Sequence, residues 1–332
     1  MVGIPAVQKN IMKLIIQIPC FNEEATIGIT LDALPREIEG IDLIEYLIID
    51  DGSTDKTVKV AREHGVHKVV SVRRNRGLAK AFMCGLDACI QHGADIIVNT
   101  DADNQYNADD IETLIKPILR GEAEIVVGAR PIANIKHWSL TKKLLQKIGS
   151  KVVRMASGTQ IADAPSGFRA MSREAALRIN VFDSYTYTLE TIIQAGRKNI
   201  PIISVPIRTN RDLRPSRLIH SIPGYIRRSL FTVTRIFMTY RPFRFFAIPG
   251  VIIFFIGTLP TVRFLYFFSI GEGRGHIQSL LFSALMLGGG MALVITGLIA
   301  DLIGVNRQLL EDIRTRIREL EYAQALRDRK EK

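Results

Sequence analysis

Asp101-Ala102-Asp103 follows directly on an apolar run, residues 96–99, and sets two carboxylates one residue apart. Paired carboxylates at the exit of a strand suit a hard divalent cation that also bridges two phosphates, and Gln105 adds a neutral oxygen for the same ion. A D-x-D arises readily by chance in loops. This one ends a run that reads as a buried strand, where unpaired acids are costly without a ligand. Three further polar clusters follow apolar runs. Pro19-Cys20-Phe21-Asn22-Glu23-Glu24 comes first; a helix start, with Asn22 as cap and both Glu on the N-terminal dipole, accounts for part of it. Asp50-Asp51-Gly52-Ser53-Thr54-Asp55 comes second. A turn in which Ser53 or Thr54 caps the next helix explains Gly52 to Asp55, and it leaves two acids suited to the N–H donors of a base or the hydroxyls of a ribose. The third, Arg73-Arg74-Asn75-Arg76-Gly77-Leu78-Ala79-Lys80, supplies four cations where a diphosphate needs counter-charge.

The elements that must position these clusters alternate. Runs 14–18, 46–49, 68–72, 96–99 and 125–127 are short, apolar and mostly β-branched, as strands are. Between them, 25–34, 55–64, 78–92 and 109–119 carry apolar residues at helical spacing. That order predicts an α/β domain over residues 1–207, Rossmann-like, with a mainly parallel sheet and helices on both faces. Ligands of such sheets bind beyond the carboxyl ends of the strands, where all four clusters fall.

The last third differs. Of a net charge of +11, the segment 208–244 supplies +8, with nine Arg and the single acid Asp212. Uncharged runs of 18 and 24 residues follow, 245–262 and 277–300, each near the ~20 residues that span a bilayer core. Cations just before such a run read as a positive-inside signal and as contacts for anionic membrane lipids, which argues against nucleic acid as partner. The expectation is a basic amphipathic segment (208–244), two transmembrane helices (245–303) and a charged C-terminal helix (304–332) in a multi-pass cell-membrane protein. No signal-type segment opens the sequence, so the first domain and both termini are expected in the cytoplasm. Amphipathic segments also offer surfaces for self-association. Cys20, Cys84 and Cys89 fit no zinc spacing and no disulfide framework.

The ordered set P-C-F-N-E-E, I-D-D-G-S-T-D, R-N-R-G-L-A-K-A-F, D-A-D-N-Q-Y and P-S-G-F-R resembles the family 2 glycosyltransferases of GT-A fold over roughly residues 13–217. Within that family it is most similar to the polyprenyl-phosphate branch, which includes dolichol-phosphate mannose synthases and bactoprenol glucosyltransferases. The resemblance implies that Pro19, Phe21, Asn22, Glu23, Asp50, Asp51, Lys80, Asp101 and Ala102 hold a nucleotide-sugar donor. It implies Mg²⁺ or Mn²⁺ on Asp101, Asp103 and Gln105, with Asp103 and Asp163 at the reacting centre. It further implies that Arg130, Arg211 and Arg217 hold the phosphate of a polyprenyl phosphate acceptor, although the arginine loop is one residue shorter than in the mannose synthases.

Such an acceptor is already an anionic nucleophile, so Asp163 is open to a positioning role or weak base action, and a turn role also accounts for it. The transfer is expected to invert the anomeric centre. A processive polysaccharide synthase would normally carry Q-x-x-R-W, and Trp138 lacks that context. A dinucleotide oxidoreductase would want G-x-G-x-x-G where P-C-F-N-E-E stands. A different membrane acceptor, or a non-catalytic scaffold of this fold, completes the alternatives.

Overall fold

The computed structural model describes residues 11–131, 140–181, 187–211, 231, 234–235, 238–271 and 277–330. The chain divides into two compact units, Met1–Tyr225 with Arg314–Lys332, and Ile226–Ile313.

The first unit is built on seven strands: β1 (Lys13–Cys20), β2 (Leu43–Asp50), β3 (Lys68–Ser71), β4 (Ile96–Asn99), β5 (Ile125–Ala129), β6 (Arg169–Ser172) and β7 (Ile202–Pro206). Their order across the sheet is β3-β2-β1-β4-β6-β5-β7. All neighbours are parallel except β6, which runs antiparallel to both β4 and β5. Parallel strands covered on both faces are apolar throughout, and β1 follows that rule: Leu14, Ile15, Ile16 and Ile18 have no exposed surface. Among the described residues, seven helices, α1 (Ile27–Ala33), α2 (Thr57–Glu63), α3 (Leu78–Gln91), α4 (Asp110–Leu119), α5 (Leu140–Ser157), α6 (Arg173–Arg178) and α7 (Tyr187–Arg197), accompany the strands.

The connections after β1 lead to β2 and β3 on one side, and the chain then returns to place β4 on the other. The resulting switch point between β1 and β4 is where an open α/β sheet leaves its crevice. Register brings the polar ends together there: Cys20 pairs with Asp50, and Gln17 with Asn99. Gln17 is fully buried in that seam and donates from Nε2 to Asn99 Oδ1 at 2.9 Å. Gly85 lets α3 approach it, since a Cβ there would stand 2.3 Å from Gln17 Oε1.

The alternation read from sequence recovers β1 to β5 and α1 to α4, within a few residues at each end. The antiparallel β6 was not anticipated. It has four residues and enters the sheet between β4 and β5 from the loop after α5, so no local βαβ pattern announces it. Pro206 is accommodated because β7 is the edge strand.

The last part of the chain, Arg314–Lys332, belongs to this first unit. Arg318 is 7% exposed and donates to Asp87 of α3 and to the carbonyls of Ala176 and Ile179 beside α6. Asn180 Nδ2 donates to Thr315 Oγ1 at 3.3 Å, and the Arg173 guanidinium lies 4.9 Å from the centre of the Tyr322 ring. Burial lowers the pKa of Arg318, and Asp87 opposes that shift.

The second unit holds α8 (Pro242–Ser269) and most of α9 (Ile277–Lys330), which continues without a break through Gly304. Both helices are long and apolar enough to cross a membrane. At 28 residues, α8 measures about 42 Å against a bilayer core of about 30 Å. Its large apolar side chains, Ile248, Ile252, Phe255, Leu259 and Val262 among them, are exposed, whereas its buried residues are Pro242, Ala247, Gly250 and Gly257. That is the inverse of a water-soluble helix. The small residues mark the contact with α9: a Cβ on Gly250 would stand 2.8 Å from Gly290 O, and one on Gly257 2.8 Å from Met286 Cβ. Ser283 Oγ reinforces the contact by donating to Gly257 O at 2.6 Å.

Candidate active site

Three strand ends, those of β1, β2 and β3, form one rim of the crevice. After β1, Phe21 is 36% exposed and Asn22 adopts a left-handed φ of 54°. A cap on α1 is one of the two readings of Asn22 that the sequence offers. Instead its side chain reaches the turn after β2, where Oδ1 accepts from Thr54 N at 2.8 Å, and its own N–H donates to Ser53 Oγ at 2.9 Å. The cap position of α1 is Thr26, whose side chain makes no capping hydrogen bond. Glu23, buried, accepts from Thr26 Oγ1 and donates from its N–H to Thr57 Oγ1. Ser53 and Thr54 do not cap α2 either. Asp55 serves its first turn, with Oδ1 accepting from Thr57 N at 3.0 Å.

Asp50 and Asp51 are both buried. Asp50 Oδ1 accepts from Ser53 N at 2.9 Å. Asp51 receives two backbone donors ahead of α3, Arg76 N on Oδ1 at 2.9 Å and Gly77 N on Oδ2 at 2.8 Å. It therefore folds the arginine-rich loop back over β2. Gly52, with φ 81°, makes this closure feasible, because a Cβ there would stand 3.1 Å from the backbone of Arg74 and Asn75. Lys80 is exposed on the first turn of α3.

Beside this rim, the exit of β4 gathers charge. Asp101 lies against the loop before β6: a Cβ on Gly167 would stand 3.1 and 3.2 Å from its two carboxylate oxygens, so a side chain there would crowd the acid. Burial pushes the Asp101 carboxyl up to about 7, and neighbouring Asp103 adds to the shift. Arg130, a hydrogen bond from Tyr106, and Arg169 oppose it. Asp103 Oδ1 accepts from Gln105 N at 3.2 Å, closing the turn, and Asn104 within it has a left-handed φ of 53°. Ala102 is buried, and its carbonyl accepts from Thr30 Oγ1 of α1 at 3.0 Å.

Arg130 leaves β5 and makes a fork with Asp163, from Nε to Oδ2 at 2.7 Å and from Nη2 to Oδ1 at 3.1 Å. The Asp163 side chain is 1% exposed and that of Arg130 10%. Two residues matched separately from sequence thus form one buried pair. Arg211 is exposed at the edge of the described residues, and Arg217 lies outside them.

Several residues at this site carried no assigned role in the sequence reading. Tyr106 stacks on Phe168 with ring centres 4.9 Å apart, and its hydroxyl accepts from Gly167 N at 3.0 Å. Tyr187, stacked on Phe82 at 4.0 Å, shares Asn99 Nδ2 with Gly167 O. Arg169, fully buried, donates to the carbonyls of Ser166 and Thr188. Burial lowers its pKa, and Tyr187, Tyr106, Asp101 and Asp163 hold it up. Tyr106 and Arg169 stood inside recognised motifs; Tyr187 and Asn99 gave no comparable signal.

The acid pair suits a divalent cation. Burial first, and the like charge of Asp103 second, hold the Asp101 carboxyl up at about 7, and a cation bound there would favour its ionised form. Among the described residues no cluster of three or more His, Cys, Asp or Glu could enclose a metal on its own. Mg²⁺-type ions in nucleotide sites are typically held by one or two carboxylates plus substrate phosphates, so two acids and an amide are an adequate donor set.

The sheet with one antiparallel insertion, its acids at the switch point, and the paired carboxylates after β4 define an open, doubly wound α/β domain with a polar crevice. Residues 15–179 match the model of glycosyl transferase family 2. The chain is 32% identical over 217 residues to the UDP-N-acetylglucosamine–dolichyl-phosphate N-acetylglucosaminyltransferase of Methanococcus voltae, covering 58% of this chain and 83% of that one. It is 26% identical over 245 residues to the polyprenol monophosphomannose synthase of Mycolicibacterium smegmatis, covering 69% and 88%. Among solved structures, the glucosyl-3-phosphoglycerate synthase of Mycobacterium tuberculosis, in complex with Mn²⁺, UDP-glucose and phosphoglyceric acid, superposes with a TM-score of 0.52 at 23% identity, covering 67% of this chain and 79% of that one. The chain belongs to glycosyl transferase family 2, its catalytic fold is GT-A, and it is a glycosyltransferase.

Proposed function

We propose that this enzyme moves a hexose from a nucleoside diphosphate sugar to a polyprenyl phosphate at the cytoplasmic face of the cell membrane, with inversion at the anomeric carbon. The observation that carries the reading is the state of Asp163. Both of its oxygens accept from Arg130, so its charge is already paired and its lone pairs are engaged by a guanidinium rather than turned to an acceptor hydroxyl. A hydroxyl acceptor needs a base to take its proton; a phosphate monoester attacks without one. The chemistry left for the protein is alignment and charge balance. Two relatives are named as a dolichyl-phosphate N-acetylglucosaminyltransferase and a polyprenol monophosphomannose synthase, which supports an acceptor of this class.

In this reading the donor nucleoside lies along residues 19–23, Asp50 and Asp51, with Lys80 toward its phosphates. Asp101, Asp103 and Gln105 would hold Mg²⁺ or Mn²⁺, which when bound neutralises the departing diphosphate. The solved neighbour with Mn²⁺ and UDP-glucose is consistent with that assignment. Arg130 holds Asp163 in the resting site and shares its guanidinium with the acceptor phosphate, while Arg211 and Arg217 bring that phosphate in from the membrane. The topology is a two-span hairpin. The grouping of Arg314–Lys332 with the sheet in one unit supports an even number of crossings between them.

The test is transfer from a panel of radiolabelled nucleotide sugars, with polyprenyl phosphate or the matching polyprenol offered in detergent. A glycolipid should form with the phosphate alone. Equal transfer to the alcohol, or none to the phosphate from any donor, would refute the acceptor.

A further inference from the structure

Gly167 meets Asp101 because β6 runs against its neighbours. Asn99 pairs with Arg169 in the antiparallel register, so the residues just after β4 and just before β6 come face to face. The approach is close: a Cβ on Gly167 would also stand 2.9 Å from the Tyr187 hydroxyl. Gly167 is held at both of its polar groups. Its N–H donates to the Tyr106 hydroxyl at 3.0 Å, and its carbonyl accepts from Asn99 Nδ2 at 2.9 Å. The sense of the Asn99 amide is set from behind, where Oδ1 accepts from Gln17 Nε2 at 2.9 Å and leaves Nδ2 to face Gly167 and Tyr187. A hydroxyl has one proton to give. That of Tyr106 accepts from Gly167, and its own hydrogen bond goes to the Asp101 carboxylate. Gln17, Asn99, Tyr106 and Tyr187 are all buried, so bulk water does not compete for these bonds. A directed chain thus runs from Gln17 to Asn99, Gly167, Tyr106 and Asp101, and the stacked Phe168 ring steadies the phenol.

We propose that Tyr106 and Asn99 are positioning residues for the transfer: Tyr106 directly, and Asn99 through Gly167, hold the Asp101 carboxylate in one orientation before any ion arrives. The inference rests on the reading above in taking Asp101 as a ligand of the donor's divalent cation. A free carboxylate turns about its side-chain bonds and loses that freedom when it takes an ion. One that the fold has already fixed loses nothing further, so the ion and the diphosphate it bridges bind more tightly. A phenol suits the task, because it gives a single proton and leaves the remaining lone pairs of the carboxylate to the cation. Neither residue needs to touch the ion or the nucleotide.

The experiment uses the full chain in detergent micelles and measures by calorimetry the affinity for UDP, GDP, CDP and dTDP, each with Mn²⁺ and with chelator. In the native protein Mn²⁺ should strengthen at least one of them. Tyr106→Phe keeps the stack on Phe168 and removes only the hydroxyl. Its affinity in chelator should hold within about twofold, the gain from Mn²⁺ should shrink roughly tenfold, and raising Mn²⁺ by the same factor should restore it. Asn99→Ala should show the same pattern at about threefold, because the Tyr187 hydroxyl, 3.4 Å from Gly167 O, still donates there. A full gain from Mn²⁺ in Tyr106→Phe would overturn the proposal. So would an equal loss with Mn²⁺ and with chelator, or a loss that excess Mn²⁺ does not repair, which are the marks of a loosened fold. Native protein in which Mn²⁺ strengthens none of these nucleotides refutes Asp101 as a metal ligand and the inference with it. That failure is read without any variant, so it is told apart from failure of the positioning role alone.

Discussion

The two rims of the crevice handle acids in opposite ways. On the side of β1 and β2, Asp50, Asp51 and Asp55 are satisfied by backbone N–H groups, and those bonds shape the loops that carry them. On the side of β4, β5 and β6, acids face other charges. Asp103 crowds Asp101, Arg130 grips Asp163, and Arg169 lies buried behind them. A loop held by N–H donors is complete without a ligand. A cluster in which one carboxyl is kept protonated near neutrality is not, and a divalent cation would relieve it. The first rim is built to hold shape and the second to respond to a ligand.

Substitution should separate the two. The largest effect is expected at the unbalanced rim: Asp101→Asn and Asp103→Asn should each lower turnover on the order of a thousandfold, while thermal melting of the metal-free protein holds or rises because repulsion is relieved. A parallel fall in melting temperature would erase the distinction. Next comes Asp163→Asn, which leaves Arg130 buried against a neutral amide. Chemical denaturation should show roughly 3–5 kcal/mol lost, and Arg130→Met in the same chain should recover most of the stability and none of the activity.

The third test is pH. Asp101 carries a folded pKa near 7 against an unfolded value of about 3.9, so the folded state binds the extra proton between those values. Metal-free stability should fall as pH rises through that window and level off above about 7. A cation must displace that proton, so Mn²⁺ affinity by calorimetry should climb about tenfold per unit up to the same point and then flatten. Flat affinity from pH 5 to 8 would show that Asp101 is ionised throughout. The smallest effect is expected at the satisfied rim. Asp51→Asn exchanges a charged acceptor of two N–H bonds for a neutral one, costing about 1–2 kcal/mol, and it should appear as a raised donor KM with kcat within a few-fold. A collapse of kcat there would mean that Asp51 takes part in the chemistry rather than in the loop.

How much of this was legible depended on distance along the chain. The strand-and-helix alternation through α4 is written in local periodicity, and so are the acids at the strand exits, since a strand's apolar run and the polar residues that end it are neighbours in sequence. The two membrane-type helices were equally plain from length and lack of charge. The local pattern also fits Asn22 as a cap, but its partners, Ser53 and Thr54, lie about thirty residues away and meet it only once β1 and β2 pair.

Sequence alone determined that this chain has a mainly parallel α/β domain, a pair of carboxylates at the exit of one strand and two long apolar helices to follow, because each rests on residue type and short-range spacing. The tertiary structure decided what those groups do to one another. It set Arg130 on Asp163 across 33 residues, inserted β6 against the direction of its neighbours, and laid Arg318 on Asp87 across 231. It also braced the acidic turn with Asn210 from 106 residues away. Register and burial fix such meetings, and they belong to the packed sheet as a whole: a carboxylate's partner, and with it the proton it keeps, is chosen by the strand that comes to lie beside it.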